Sequence, residues 1–420
     1  MIFKMKKVIL CGVCVKDDKL FTSKMDECKE LCLACGYQVV DTMIQNSDSI
    51  DQRHAFRTGK LEELRNLVSY HDVDLVIFYN ALSVKQAQRI SEIIECKVID
   101  RIALILDIFT IRARTKQAKL QTEMARLQYD LPRILNSDND TERERGGAVN
   151  NRGSGEMRSA IISRKYKKRI QELKLELSKI DHRLQQDERR RAKTLIKRVA
   201  LVGYTNAGKS SFMNVLLKKE HNVGTEVFQE DMLFATLDTS VRNIEYKKKN
   251  FLLYDTVGFV SDLPHMLVEA FKSTLDAARG ADLLIHVIDA SDSEWERKEE
   301  VTEETLNEIG AGDIPILRVF NKVDLLDDPS FLPGLCVSCL KEEGIEEILD
   351  EMMDLLYPKE ESVICKIPYD KIYMFDEYRK VMDINILKED VDGQLIQVSG
   401  PKEYIHAFDM YRLERDNKYE

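Results

Sequence analysis

The stretch that decides the fold runs from Arg198 to Lys219: RVALVGYTNAGKSSFMNVLLKK. Arg198–Val202 is an apolar run of strand type. It enters GYTNAGKS (Gly203, Tyr204, Thr205, Asn206, Ala207, Gly208, Lys209 and Ser210), and SFMNVLLKK continues with helical spacing. A strand, then G-x-x-x-x-G-K-S, then a helix is the context in which a P-loop forms. The two glycines let backbone N–H groups turn inward around phosphates, and the helix N-terminus adds partial positive charge. Lys209 is expected to reach the β- and γ-phosphate oxygens, and the Ser210 hydroxyl to ligate Mg²⁺.

Downstream, NKVD (Asn321, Lys322, Val323, Asp324) follows the buried-type strand Pro315–Phe320. A carboxylate at Asp324 can accept hydrogen bonds from the guanine N1–H and exocyclic amine. Adenine lacks that donor pair and would leave the acid unpaired. The bound nucleotide is therefore expected to be GTP or GDP. Between these motifs, Leu252–Asp255 reads as a strand leading into Thr256, Val257 and Gly258. Asp255 is placed to hold the metal through water, and Gly258 lets backbone approach the γ-phosphate. FATLD (Phe234, Ala235, Thr236, Leu237, Asp238) supplies Thr236 as the candidate for a loop closing on Mg²⁺ and the γ-phosphate. Ser338, Cys339 and Leu340 lie where backbone N–H groups can meet the guanine O6.

No catalytic side chain is identified. Lys209, Thr236 and Gly258 are the expected transition-state stabilisers, and Phe259 stands where many GTPases carry a water-orienting glutamine. Slow turnover, raised by a partner, follows from that replacement. Asn206 is a candidate oxygen donor for K⁺ beside the phosphates.

The rest of the 420 residues divides around this segment. Residues 1–108 alternate strand and helix patterns (Val8–Val15, Asp26–Cys35, Tyr37–Val40, Lys60–Tyr70, Leu75–Tyr79, Lys85–Ile94, Val98–Ile99), which predicts a parallel α/β domain. No glycine-rich loop follows any of these strands, so this domain is assigned no nucleotide. Residues 109–196 carry two heptad-like seams: Leu120, Met124, Leu127 and Leu131, stopping at Pro132, and Ile170, Leu173, Leu177, Ile180 and Leu184. Neither stripe can be buried alone, so an antiparallel helical hairpin is expected. Its tip, 136–156 (NSDNDTERERGGAVNNRGSGE), reads as polar and mobile. The P-loop GTPase domain is set at 197–358, and 359–420 reads as a small α+β domain of strand, helix, two strands and helix.

A net charge of −10 argues against a chain that coats nucleic acid with its whole surface. Yet 141–198 holds 18 Lys/Arg against 8 Asp/Glu, a local basic excess suited to RNA phosphates. The longest apolar runs, such as Ile102–Leu106 and Leu283–Ile288, are far short of a bilayer span. Lys16, Asp17 and Asp18 follow the first apolar run where a signal peptide would have a cleavage site, so a cytoplasmic protein is expected. The pairs Cys11/Cys14 and Cys32/Cys35 fit a zinc spacing. However, the first sits in a strand pattern with its members on opposite faces, and the second on a helical stripe with Cys28. Reduced core thiols are the expectation, and Cys336/Cys339 reads as a strand end.

Taken together, GYTNAGKS, FATLD, DTVGF and NKVD resemble the HflX family of ribosome-associated GTPases. The resemblance extends upstream through Lys97–Ile134, RGSGE at 152–156 and TGKLEEL at Thr58–Leu64. It implies an N-terminal α/β domain, a helical hairpin linker, a G domain and a C-terminal domain. It also implies binding to the large ribosomal subunit and its rRNA, with GTP-dependent splitting or rescue of stalled ribosomes, by a monomer. The chain departs from the family pattern at Ser154 and Thr239, where prolines are usual, across Met157–Ile161, and in a lengthened stretch at Lys218–Gln229.

Overall fold

The computed structural model describes residues 5–16, 18–144, 152–191, 195–219, 240–247, 249–260, 277–357 and 360–413. The described residues up to His182 form one compact unit and those from Arg183 a second.

In the first unit, β1 (Lys6–Val15), α1 (Phe21–Ala34), β2 (Tyr37–Ser47), α2 (Thr58–His71), β3 (Leu75–Phe78), α3 (Val84–Ile94) and β4 (Val98–Asp100) alternate as the sequence predicts. The sheet is parallel throughout, in the order β2-β1-β3-β4. Val8–Cys14 is buried without interruption, as a strand covered on both faces must be. One face of β1 packs Ile9, Cys11 and Val13 against Leu61 and Leu64 of α2 and Ile90 of α3. Cys28 and Cys32 are also buried. The apolar run Ile102–Leu106, given no element by its pattern, lies within α4 (Arg101–Arg112). Asp100 caps this helix, its carboxylate accepting from the Ala103 N–H.

Two long helices follow, α5 (Lys116–Glu144) and α6 (Arg152–Arg191). Their seam buries Leu120, Met124, Leu173 and Leu177, with Leu127, Ile170 and Ile180 at its margins. Gln117 bonds Asp181, and Arg169 grips both carboxylate oxygens of Glu123 at 2.7 and 3.1 Å. The pairing runs in opposite directions along the two helices, which makes the hairpin antiparallel. Helix also reaches into both ends of the 136–156 segment; 145–151 lies outside the described residues.

The expected stop at Pro132 does not occur, because α5 continues through it. Proline removes one helical hydrogen bond and crowds the preceding turn. Here tertiary contacts on either side outweigh that cost. The Tyr129 hydroxyl donates to Asp100 at 2.6 Å, while Arg133 donates to Asp100 at 3.0 Å and to the Leu82 carbonyl at 3.1 Å. The Arg133 guanidinium also stacks 3.7 Å from the Tyr129 ring centroid. Asp100 is 1% exposed and accepts from the Leu82 N–H as well, so all its lone pairs are used.

The second unit contains β5 (Lys197–Val202), α7 (Lys209–Lys219), β6 (Ser240–Tyr246), β7 (Lys249–Asp255), β8 (Leu283–Asp289), α8 (Trp295–Glu308), β9 (Ile316–Asn321), β10 (Leu335–Cys336) and α9 (Ile345–Leu356). The strand order is β10-β9-β8-β5-β7-β6, parallel except for the edge strand β6. β5 lies where the winding reverses, between β8 and β7, so the loop leaving its C-terminal end opens into the crevice where such sheets bind ligands.

Next in the chain is an antiparallel sheet, β11 (Glu360–Ile367), β12 (Asp383–Asp390) and β13 (Gly393–Pro401), in the order β11-β13-β12. The first helix expected in 359–420, read from KIYMFDEYRKVM at 371–382, is instead a 3₁₀ turn (Tyr369–Lys371) and the short α10 (Met374–Tyr378). The last helix is α11 (Lys402–Ile405), followed by a 3₁₀ segment to Tyr411. Phe375, Val381, Met382, Ile405 and Phe408 cover one face of this small sheet, so compact turns deliver more apolar side chains than one straight helix would.

Removing one partner from a buried, fully paired carboxylate cluster strands the others. Asp100→Ala is therefore expected to destabilise the chain by about 3–5 kcal/mol, read by urea unfolding followed by circular dichroism.

Candidate guanine-nucleotide site

The loop after β5 turns through Gly203 (φ +137°), Asn206 (φ +63°) and Gly208 (φ +96°). A Cβ on Gly203 would lie 2.3 Å from the Val287 carbonyl oxygen, and one on Gly208 2.1 Å from the Asn321 amide nitrogen. Both positions need glycine for conformation and for space. Asparagine is among the few other residues that tolerate the left-handed region.

Lys209 opens α7 with its side chain inside the loop, 7% exposed. Its Nζ donates to the carbonyls of Gly203 (3.0 Å) and Tyr204 (2.8 Å). Burial pushes its pKa down to about 8, against the opposing pull of the Asp255 charge. Ser210 follows, its hydroxyl donating to Asp255 Oδ2 at 2.7 Å. Asp255 is fully buried at the end of β7, and the next hydroxyl, Thr256, ties down the strand end by donating to the Leu201 carbonyl at 2.6 Å.

The segment after Asp255 is laced to the P-loop. The Thr205 N–H donates to the Phe259 carbonyl (2.8 Å), and the Phe259 N–H to the Gly203 carbonyl (3.1 Å). Val257 and Phe259 are buried, so this segment offers the pocket its backbone rather than their side chains.

At the other end, Asn321 closes β9 and is 2% exposed. Its amide donates to the Ala207 carbonyl (3.0 Å), and its oxygen accepts from the Cys339 N–H (3.2 Å). One side chain therefore joins the P-loop to the Ser338–Leu340 turn. Lys322 (φ +64°) pairs with Asp289 at 2.7 Å. Asp324, in the 3₁₀ turn Val323–Leu325, accepts from the Ser338 hydroxyl at 2.5 Å. That hydroxyl also accepts from the Lys341 N–H, which shapes the turn. Leu340 is 83% exposed, leaving its backbone as the relevant part.

Gly203–Ser210, Asp255–Gly258, Asn321–Asp324 and Ser338–Leu340 thus all lie at the C-terminal ends of the parallel strands. Phe234, Ala235, Thr236, Leu237 and Asp238 lie outside the described residues. Two members of the site escape sequence reading. Asp289 is signalled only as the carboxylate ending the strand LLIHVID, and it sits in register with Asn321. His286, on the same strand, is 2% exposed and lies against Gly203, whose Cβ would be 3.3 Å from its ring. Its Nδ1 has no hydrogen-bond partner among the described residues. Burial, then the charges of Lys209 and Arg318, push its pKa down to about 3.

Comparison with known proteins covers nearly the whole chain. Residues 22–110 match the family model described as GTP-binding GTPase N-terminal, 112–191 the GTP-binding GTPase Middle Region, and 198–322 the 50S ribosome-binding GTPase. The GTPase HflX of Caldanaerobacter subterraneus subsp. tengcongensis is 36% identical over 382 residues, covering 90% of this chain and 86% of that protein. That of Flavobacterium psychrophilum is 40% identical over 76% of each chain. That of Escherichia coli K12 is 37% identical over 72% of this chain and 70% of its own. Among solved structures, a GTP-binding protein from Sulfolobus solfataricus in complex with GDP is 25% identical over 84% of this chain and 99% of its own, with a TM-score of 0.44.

The buried imidazole sets a pH dependence. The unfolded chain takes up a proton at His286 below about pH 6.5, whereas the folded chain resists until about pH 3. Stability from this residue is therefore complete only well above pH 6.5 and falls as pH drops through that window, by about 1 kcal/mol between pH 6.5 and 5.5 and approaching about 1.4 kcal/mol per unit below. Urea unfolding at pH 6.5 and 5.5 should show that loss in the wild type and a smaller loss in His286→Leu.

Proposed function

The chain belongs to the HflX family of GTPases, and from that premise we propose that it binds the large ribosomal subunit in the cytoplasm and hydrolyses GTP there, splitting or rescuing stalled ribosomes. The observation that carries the nucleotide part is the Asn321 bridge. It fixes the distance between Lys209 and Asp324, so one ligand reaching from phosphate to base is held at both ends.

Lys209 hydrogen-bonds only neutral carbonyls among the described partners, in a place that already disfavours its charge. A polyphosphate supplies the missing countercharge, and the inward-facing loop amides add hydrogen bonds. At the base end, Asp324 exchanges the Ser338 hydroxyl for the guanine N1–H and amine, while the Ser338–Leu340 backbone meets O6. Ser210 and Asp255 present hard oxygen donors side by side, the donor type that Mg²⁺ takes. They would hold it, Asp255 through water, with Thr236 as the third group. When bound, the ion offsets charge on the β- and γ-phosphates.

Phe259 is buried and its side chain has no hydrogen-bonding group, so that position orients no water. Turnover by the chain alone is accordingly slow, and the ribosome raises it. Asn206, left-handed within the loop (φ +63°), would lend its oxygen to K⁺.

The ribosomal part is supported by the G-domain family description and by charge. On α6, Arg164, Lys165, Lys167, Lys168 and Lys174 are exposed, away from the seam formed by Leu173 and Leu177. Such a face neutralises RNA phosphates.

Four measurements test this reading. Lys209→Ala should weaken GTP binding by roughly 100-fold in calorimetry, about 2.7 kcal/mol. The wild type should sediment with large subunits in GTP or a non-hydrolysable analogue more than in GDP, and the subunits should accelerate hydrolysis. A K⁺ buffer should support faster turnover than Na⁺. Replacing Arg164, Lys165, Lys167 and Lys168 by glutamine should lower the salt slope of subunit binding by about three to four. Subunit binding without accelerated hydrolysis would favour a nucleotide-gated binding module, the role to which Phe259 would otherwise point.

A further inference from the structure

The basic face of α6 is interrupted by one aromatic ring. Arg164, Lys165, Lys167 and Lys168 are exposed, whereas Tyr166, set among them, is half-buried. Ser163 is 4% exposed and Ile170 lies at the seam with α5. Tyr166 comes three residues after the one and four before the other, which puts it on the same helix face. There it lines a pocket of about 600 Å³ that lies wholly within the first unit.

Val84 and Ala87 of α3, Val98 of β4 and Ile134 of α5 give this pocket apolar walls. Each is half-buried, so the chain itself covers these surfaces only in part. Arg133 lines the pocket too and is held still, bonded to Asp100 and the Leu82 carbonyl and stacked on Tyr129. Charge at the pocket balances, Lys97 and Arg133 against Glu92 and Asp130. Gln88 and Glu92, one turn apart on α3 and exposed, add an amide and a carboxylate. A free anion therefore meets no excess of positive charge here. That excess lies outside, on the turn of helix that carries Tyr166, since Arg164 to Lys168 spans only about 6 Å of axis. Phosphates on the helix surface and a flat, neutral, partly polar group in the pocket are what one nucleotide of an unpaired RNA strand supplies.

We infer that this pocket takes one unstacked base of a single-stranded RNA segment whose phosphates lie on α6, the ring packing on Tyr166 and the base edge meeting Gln88 and Glu92. The inference rests on the RNA-contact reading given above and names the form of the RNA, a strand with a free base rather than a continuous duplex. Stacking serves any base. The Glu92 carboxylate accepts from an exocyclic amine, which adenine, guanine and cytosine carry and uracil lacks.

The test uses the full chain and a short oligouridine carrying one fluorescent aminopurine, a base quenched by stacking. Binding to the wild type should quench it. Tyr166→Ala should weaken binding about 5- to 100-fold and abolish the quenching while the salt slope stays unchanged, and Tyr166→Phe should restore both. Ala87→Met, which fills the pocket and leaves Tyr166 in place, should repeat the loss if the alanine variant unsettles the hairpin. Wild-type affinity and quenching in both Tyr166→Ala and Ala87→Met overturn the proposal, as does equally tight binding of the strand annealed to its complement. Adenosine monophosphate displacing the strand at the strand's own affinity marks a free-nucleotide pocket and overturns it as well. In each of these cases sedimentation of the chain with large subunits leaves the wider reading standing. A chain that binds neither the strand nor the subunits overturns both.

Discussion

The site depends on a cation buried before its ligand arrives. Lys209 is enclosed by its own loop and held by two backbone carbonyls, and burial shifts it toward the neutral amine. An ammonium in that position is short of negative charge, so the loop is electrostatically preorganised for phosphate. The geometry that encloses it is made by residues that few side chains could replace: Gly203 pressed on the β8 backbone and Gly208 pressed on Asn321. The spacing of the P-loop is thus a packing constraint as much as a chemical one. Loss of either glycine would displace the lysine before any phosphate contact was lost.

Asn321 extends that constraint across the pocket. It belongs to the NKVD stretch, yet its amide donates to the P-loop at Ala207 and its oxygen accepts from the N–H of Cys339. Lys322 is fixed by Asp289 and Asp324 by Ser338. These polar groups at the base end therefore each have a protein partner, which keeps the pocket shaped, and under the proposed function an arriving purine would compete for Asp324. On the reading proposed above, selectivity would follow from that competition: only a ligand with two suitably spaced donors would replace the lost hydroxyl at the carboxylate.

Much of this could be read in the sequence because local signals and tertiary demands agreed. The motif GYTNAGKS sits between a strand and a helix whose apolar spacing already required them, and β1 to β4 alternate with helices whose stripes match the sheet faces. The reading failed where a distant contact overrode a local rule. Pro132 is a helix stopper by its own chemistry, but Tyr129 and Arg133 are secured to Asp100, some thirty residues earlier in the chain. Residues 371–382 look like one helix, but their apolar side chains must curl around a three-stranded sheet, and short turns do this better. His286 could not be foreseen because nothing distinguishes a buried histidine in an apolar strand from any other core residue until its neighbours are known.

The Asp100 cluster also bears on how the basic hairpin can act. A helix pair joined to a domain only through its chain ends would swing freely, and its contact with RNA would carry no information about the rest of the chain. Here α5 is bound along its side: Arg126 to Asp107 at 2.7 Å, Tyr129 and Arg133 to Asp100, and Arg133 again to the Leu82 carbonyl. These are charge-assisted and largely buried contacts, which are directional and costly to break singly. The hairpin base therefore moves with the parallel sheet of its own unit. The exposed lysines and arginines of α6 are carried on that base through the Leu120–Leu177 seam and the Arg169–Glu123 clasp. An acidic protein can in this way present a basic surface in a fixed orientation, so charge that would be nonspecific on a loose tail becomes a positioned contact.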